Sequence, residues 1–346
     1  MENIIFCTDS IQDALKDWLA KQNYSRIFVL CDENTAQYCL PKIDFLQEKA
    51  VILKIPAGEK YKNLQTAQQV WSALTAQQLD RNALCINLGG GVIGDLGGFC
   101  AATYKRGIDF IQIPTTLLAQ VDASIGGKTG IDFEHYKNQI GVFAHPKAIF
   151  IDTKFLQTLP EKELRAGFAE IIKHCLIADK EMWDEISTKN WREQDWEALV
   201  LYSIKFKSLI VEKDFQEKGV RKLLNFGHTI GHALESHFLE QTNPLLHGEA
   251  VAWGIIAESF IAYQKGFIEK EDLEEIQDYI AGQFEDSKVL LSDRDVEAVI
   301  FLAMQDKKNQ HGEVRCTLIS EIGRGIIDVP TTEYELQQAL FYMNKI

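Results

Sequence analysis

"CINLGGGVIGDLGGF", residues 85–99, decides the fold. A short β-branched and aliphatic run ends in consecutive glycines, and the chain then resumes with helical spacing. Gly89, Gly91 and Gly94 fit G-x-G-x-x-G in a strand–turn–helix context, where backbone N–H groups at a helix start attract phosphate oxygens. Two features depart from the usual dinucleotide fingerprint. The loop follows the third strand candidate rather than the first, and no acidic residue about twenty positions on clearly ends a strand. The stretch therefore leaves two readings open, a nucleotide loop or a glycine-rich tight turn between packed elements.

Working outward, strand candidates stand at 26–32 (RIFVLCD), 50–56 (AVILKIP), 83–89 (ALCINLG), 109–114 (DFIQIP) and 148–152 (AIFID), separated by helical patterns such as 63–78. Strands alternating with helices imply βαβ units and a mainly parallel sheet. After about residue 152 the texture becomes helical, with candidates at 159–178, 195–215, 225–238, 247–266, 271–284 and 292–308. We expect a Rossmann-like α/β domain over 1–152 followed by an all-α domain over 153–346.

Composition sets limits. The 346 residues suit two domains, and 46% apolar with 25% charged residues is ordinary for a globular protein. A net charge of −14 argues against broad nucleic-acid or anionic-membrane binding, yet permits a local cationic pocket for a small anion. The seven cysteines are irregularly spaced without C-x-x-C, which reads as reduced thiol in a cytosolic protein. No leader peptide or membrane span is expected from the N-terminus or from any apolar run.

Loops after the strand candidates carry anion-friendly residues: Glu59 and Lys62 in "PAGEKYKN", Thr115 and Thr116 before a helix, Lys128 after two glycines, and Lys137–Asn138. Open α/β sheets bind ligands at such strand ends. In the second half, "NFGHTIGHALESHF" (225–238) places His228, His232 and Glu235 at i, i+4 and i+7 on one helical face, with His237 on the opposite face as a surface residue. His247 opens the next helix. Glu170 is the best-placed carboxylate to complete a His₂Glu metal set, with Lys173 one turn along; His174 reads as packing. A metal site, a proton-transfer site and a histidine-rich surface helix all remain open from spacing alone.

The stretches "GEKYKN", "GGGVIGDLGGFCAATYKRG", "IPTTLLAQVDASIGGKTGID", "HYKNQIGVF", "FLQTLP", "AGFAEIIKH", "GVRKLLNFGHTIGHALE" and "LHGEAV", in that order over roughly residues 30 to 320, resemble 3-dehydroquinate synthase, of the sugar-phosphate cyclases. The resemblance implies an NAD-binding α/β domain, a helical domain and a divalent metal, usually zinc, on Glu170, His228 and His247. It makes His232 a proton-transfer residue outside the metal shell. It implies substrate contacts from Asp122, Lys128, Asn138, Lys173, Lys207, Arg221 and Asn225, with Arg106 reaching the phosphate end of substrate in a neighbouring subunit, hence a homodimer. One lysine of Asp306-Lys307-Lys308 would complete the phosphate pocket. Implied NAD contacts are Asp32, Asn34, Glu59, Lys62, the loop Gly89, Gly90, Gly91, Val92, Ile93, Gly94 and Asp95, then Thr115, Thr116, Lys128, Lys137, Phe155, Leu156, Gln157 and Thr158.

There are departures. His228 and His247 lie nineteen apart, longer than the family pattern, with the extra residues placed in the loop-like "SHFLEQTN"; Asp214-Phe215 stands where the family has Asp-Glu. The implied reaction turns 3-deoxy-D-arabino-heptulosonate 7-phosphate into 3-dehydroquinate and phosphate, with NAD regenerated each cycle. Alternatives are a cyclase acting on sedoheptulose 7-phosphate or glucose 6-phosphate, a metal-dependent NAD-linked polyol dehydrogenase, and a non-catalytic NAD-binding regulator.

Overall fold

The structure, a computed structural model, describes residues 3–134, 136–239, 241, 244–305 and 314–346. Asp306, Lys307 and Lys308 lie outside the described residues. The chain divides into two compact units, 1–164 with 196–212, and 165–195 with 213–346. A single break at 152 misses two things: the turn and first helical residues up to 164 stay with the first unit, and so does the helix after 195.

Six strands form the central sheet of the first unit: β1 (Ile4–Phe6), β2 (Ile27–Asp32), β3 (Ala50–Ile55), β4 (Leu84–Gly89), β5 (Asp109–Pro114) and β8 (Ile149–Ile151). The antiparallel pair β6 (Lys128–Phe133) and β7 (Tyr136–Phe143) stands apart from it. Sheet order is β1-β8-β5-β4-β2-β3, and its registered pairs are parallel. All five strand expectations are strands here. β1 is three residues long, too short for a periodic signal.

Helices α1 (Ile11–Ala20), α2 (Glu33–Tyr38), α3 (Leu46–Lys49), α4 (Leu64–Ala76) and α5 (Gly91–Thr103) connect these strands. Alternation along β2 splits the core. Phe28 and Leu30 join a cluster with Val70, Leu96 and Phe99, while Val29 and Cys31 join one with Leu15, Ile86, Ile111 and Phe150. Successive strand residues point to opposite faces, so burial on both sides requires the apolar runs seen in β2 and β4. Every residue of β4 is buried.

The remaining helices are α6 (Glu161–Ala178), α7 (Lys180–Ile186), α8 (Trp196–Lys213), α9 (His228–Phe238), α10 (His247–Gln264), α11 (Lys270–Gln283), α12 (Asp293–Met304) and α13 (Glu333–Met343). Among its described residues the second unit is helical apart from one antiparallel pair, β9 (Val314–Glu321) and β10 (Arg324–Thr331). Its central element is α10, apolar nearly all round and buried along most of its length, as expected for a helix enclosed by others. α9 lies against α10 at a glycine contact: a Cβ on Gly254 would stand 2.1 Å from the Gly227 carbonyl oxygen. The stretch 236–238, expected in a loop, completes α9. Among the described residues all seven cysteines are buried, and no helix is long and apolar enough to cross a membrane.

Candidate metal centre and nucleotide loop

His228 is the first residue of α9 and His247 the first of α10, so both rings sit at helix starts, while Glu170 lies mid-way along α6. Close backbone approach brings the three together. A Cβ on Gly248 would lie 1.8 Å from the Ala166 carbonyl oxygen, so only glycine lets the start of α10 rest on α6 one turn before Glu170. Glu249 then fixes that start: one carboxylate oxygen accepts from the Leu246 N–H (2.9 Å) and the other meets the Arg165 guanidinium (3.3 Å).

The donor atoms converge. His247 Nε2 lies 3.2 Å, and His228 Nε2 3.4 Å, from the same oxygen, Glu170 Oε1. The other Glu170 oxygen pairs with the Lys173 ammonium, which also donates to the Leu224 carbonyl at 2.9 Å. His228 Nδ1 stands 3.0 Å from the Phe226 carbonyl oxygen. A carbonyl only accepts, so Nδ1 carries the proton and the Nε2 lone pair faces Glu170. His247 Nδ1 lies 3.1 Å from Glu235 Oε2. Metal-bound imidazoles are oriented in this way by their second nitrogen.

Electrostatics make the same point. Burial pushes the Glu170 carboxyl up, but Lys173 and then His228 outweigh it and hold it well below the usual carboxylate range. Burial and then Lys173 lower His228. Burial also lowers His247, yet Glu235 and Glu170 prevail and carry it up to about 10. A carboxylate oxygen thus faces one imidazole lone pair directly, and a neighbouring imidazole keeps a proton only because two carboxylates flank it. A divalent cation at this point relieves both arrangements, so the residues fit a His₂Glu metal set.

His232 lies beside this set, its ring centroid 5.0 Å from His228 and 5.7 Å from His247. The ligand-capable atoms of His228, His232 and His247 fall within 4.8 Å of one another. His237, expected at the surface, is instead bonded to Asp295 at 2.8 Å and only 18% exposed, because α12 packs on that side of α9. Nearby in the same unit, buried Arg221 donates from Nη1 to the Phe215 carbonyl (2.7 Å), and Asn225 donates to Glu217 (2.9 Å). Asp214 accepts from the N–H groups of Lys218, Gly219 and Arg221, shaping the turn that presents Arg221. At 215 the contact is through the backbone carbonyl, which Phe supplies as well as an acid.

In the first unit, strand order explains why the glycine loop follows β4. The chain runs from β2 outward to β3, returns to β4 on the other side of β2, and continues outward to β5. The switch point therefore falls between β2 and β4, at whose carboxyl ends a doubly wound sheet binds its ligand. Asp32 ends β2 and the Gly89–Asp95 loop begins where β4 ends. Asp32 caps α2 through Thr35 (2.8 Å), with Asn34 in the same turn. A Cβ on Gly90 would press on Thr116 at 2.9 Å, whereas one on Gly91 meets only Ala123 at an ordinary 3.5 Å. Packing therefore demands glycine at 90, while the backbone at 91 stays open to close approach. Val92 and Ile93 continue the first turn of α5, with Ile93 buried beneath it.

Thr115 donates its N–H to Gly89 (3.0 Å), and Thr116 Oγ1 accepts from Ala119. Lys62 is buried, its ammonium 2.8 Å from Asn138 Oδ1, 3.1 Å from Glu59, 3.3 Å from Asp95 and 3.7 Å from Asp132. Lys137 pairs with Glu59 at 3.0 Å. Asp132, absent from the sequence reading, accepts from the Asn138 N–H (2.7 Å) and holds Asn138 at φ 51°, a left-handed conformation that asparagine tolerates. Lys207 meets Asp122 at 2.7 Å and also its backbone carbonyl. Lys128 is exposed at the start of β6. Arg106 has φ 69° in the turn after α5, and Phe155, Leu156, Gln157 and Thr158 belong to a 3-10 segment after β8.

Fold and site together define a class: proteins in which an α/β unit with a glycine loop at its switch point accompanies a helical unit carrying a Glu/His cluster. Solved structures similar in fold include 2-epi-5-epi-valiolone synthase from Streptomyces hygroscopicus with NAD⁺ and Zn²⁺ bound (TM-score 0.89, 25% identity, 100% of this chain and 97% of that one). An iron-containing alcohol dehydrogenase from Corynebacterium glutamicum shares the fold more distantly (TM-score 0.68, 14% identity, 99% and 94%). Sequence models described as 3-dehydroquinate synthase N-terminal and C-terminal match residues 52–166 and 167–309. The 3-dehydroquinate synthase of Parabacteroides distasonis is 40% identical over 99% of this chain and 98% of its own length, and that of Dictyoglomus thermophilum 40% over 95% and 92%. The chain belongs to the 3-dehydroquinate synthase family.

Proposed function

We propose that this protein converts 3-deoxy-D-arabino-heptulosonate 7-phosphate into 3-dehydroquinate and phosphate, using NAD and a divalent metal, zinc by preference, as a cytoplasmic homodimer. The observation that carries the reading is the convergence of His228 Nε2 and His247 Nε2 on Glu170 Oε1, at 3.4 and 3.2 Å, in a chain of this family. When bound, NAD supplies reversible hydride uptake and the metal supplies Lewis acidity toward a substrate oxygen.

The chain's own residues do the rest. Glu170, His228 and His247 hold the metal. The loop Gly89–Asp95 presents backbone N–H groups to the pyrophosphate, with Asp32, Asn34, Glu59, Lys62, Thr115, Thr116, Lys137 and the 155–158 segment as further NAD contacts. Arg221 takes the substrate carboxylate, for which a planar guanidinium is suited. Lys173, held between Glu170 and the Leu224 carbonyl, and Lys207, oriented by Asp122, offer fixed point charges to substrate oxygens. Lys128, Asn138 and Asn225 line the substrate, and Arg106 reaches the phosphate across the homodimer. His232, beside the metal set but outside it, holds and returns a proton at a substrate hydroxyl.

The test is phosphate release from the heptulosonate, with and without chelator and with and without added NAD. Parallel arms use sedoheptulose 7-phosphate, glucose 6-phosphate and a simple polyol. Metal-dependent release from the heptulosonate alone, without accumulating NADH, is the expected result. NADH accumulating with the polyol and no phosphate release would overturn it.

A further inference from the structure

The two histidine ligands are not supported alike. His247 Nδ1 meets a carboxylate directly, Glu235 at 3.1 Å. His228 Nδ1 meets only a carbonyl, that of Phe226 at 3.0 Å. The carbonyl belongs to the same peptide unit as the Gly227 N–H, and that N–H donates to Glu258 Oε2 at 2.7 Å. The other Glu258 oxygen accepts from the Ile230 N–H at 3.0 Å. Glu258 is fully buried, on α10.

We infer that Glu258 is a positioning residue for His228, acting through the Phe226–Gly227 peptide. Resting on the metal-site reading above, the arrangement is a carboxylate–peptide–imidazole relay that parallels the direct Glu235–His247 pair. A carboxylate pulling on one end of a peptide polarises its carbonyl at the other end, and hydrogen bonds in such a chain strengthen one another. A more strongly accepting carbonyl keeps the proton on Nδ1, leaves Nε2 free as donor to the metal and raises its basicity.

Geometry favours this role over simple burial of a charge. Gly227 is the N-cap of α9 at φ 77° and has no side chain with which to cap the helix. Glu258 supplies that cap from the neighbouring helix, so the start of α9 is set by α10, which also begins with His247. A Cβ on Gly227 would meet Ile255 at 2.5 Å, so no capping side chain fits there. One buried carboxylate thus fixes the ring orientation of one ligand relative to the helix that carries the other.

The experiment uses full-length, metal-stripped protein titrated with Co²⁺, read by the visible ligand-field spectrum and by competition with a chromophoric chelator. Glu258→Gln keeps the volume but loses the charge and one acceptor. It should weaken Co²⁺ binding about 10–100-fold and alter the spectrum, with NAD binding unchanged. Glu258→Asp, which keeps the charge one methylene short, should fall between it and wild type. His228→Ala is the control for the site itself and should show no such spectrum.

If His228→Ala loses Co²⁺ while both folded Glu258 variants bind it as wild type does, the relay is wrong and the metal site stands. If His228→Ala binds Co²⁺ like wild type, the metal site falls and the relay with it. If Glu258→Gln is unfolded, Glu258→Asp decides. If both are unfolded with and without Co²⁺, Glu258 is a determinant of folding and the positioning role is overturned.

Discussion

The two units solve opposite electrostatic problems. In the α/β unit one buried ammonium, Lys62, stands among three carboxylates, Glu59, Asp95 and Asp132. In the helical unit one buried carboxylate, Glu170, stands among an ammonium and two imidazoles. The first cluster carries a cation of its own and keeps surplus negative charge. The second directs an imidazole lone pair at a carboxylate, an arrangement that a further cation would relieve. Buried ion clusters add little to stability, since desolvation offsets attraction, so both arrangements point to ligand binding rather than to the fold.

The largest effect expected from breaking this contrast is at His228. His228→Ala removes one of the two imidazole donors, and Glu170 and His247 alone do not make a three-ligand site. Bound metal should be lost on dialysis, and phosphate release should fall by roughly three orders of magnitude or more, since Lewis-acid stabilisation of a developing charge is worth several kcal/mol. Full activity in metal-free His228→Ala protein would reject the metal assignment.

Next in size is Lys62→Met. Removing the ammonium leaves three carboxylates around an apolar chain, and breaking a buried ion set in this way costs about 3–5 kcal/mol. Thermal and urea midpoints should drop accordingly and NAD affinity should fall, while Co²⁺ binding by the folded fraction stays as in wild type. A loss of metal binding equal to the loss of NAD binding would show that the two clusters are not independent.

Glu235→Gln acts on the other side of the comparison and is milder. The amide still reaches His247 Nδ1 but without charge, so metal affinity should fall about 10–100-fold while Tm shifts little. Chelator competition reads the change. An unaltered affinity would mean that the contact at 3.1 Å does not tune the ligand.

The sequence shows these two regions unequally. The helical cluster was legible because helices concentrate chemistry: Glu170 and Lys173 share a face at i+3, as do His228 and His232 at i+4, and His247 opens the next helix. The α/β cluster draws on 59, 62, 95, 132 and 138, from the turn before α4, from α5, from β6 and from β7, and no period links them. Asp132 was missed for that reason. Glu249 and Glu258 were missed for another: both sit in α10, apolar nearly all round, where an acid gives no sign that its partners are the Leu246 N–H and Arg165, or the backbone N–H groups that open α9. The alternation of strand and helix identified the sheet, but strand order cannot be read from it. The reason for the fourth-strand position of the glycine loop therefore emerges only with the switch point between β2 and β4.

The smallest effect tests the surplus charge itself. Burial raises the Asp95 carboxyl from 3.8 to about 6, against the opposing pull of Lys62. A carboxyl whose folded pKa is raised holds its proton in the native state after the unfolded chain has released it. The unfolded state then binds fewer protons between about pH 4 and 6, so stability must fall as pH rises through that window, by at most about 1.4 kcal/mol per pH unit from this group. Asp95→Asn removes the titration, and the urea midpoint should vary less steeply over the same range. Asp132, also raised by burial, should leave a residual slope of the same sign. Glu170 is depressed rather than raised, so its contribution has the opposite sign and is lost progressively as pH falls from the ordinary carboxylate range toward its depressed value. If Asp95→Asn left the slope between pH 4 and 6 unchanged, Lys62 would already neutralise the cluster, and the contrast between an acid-rich α/β site and a cation-seeking helical site would lose its first half.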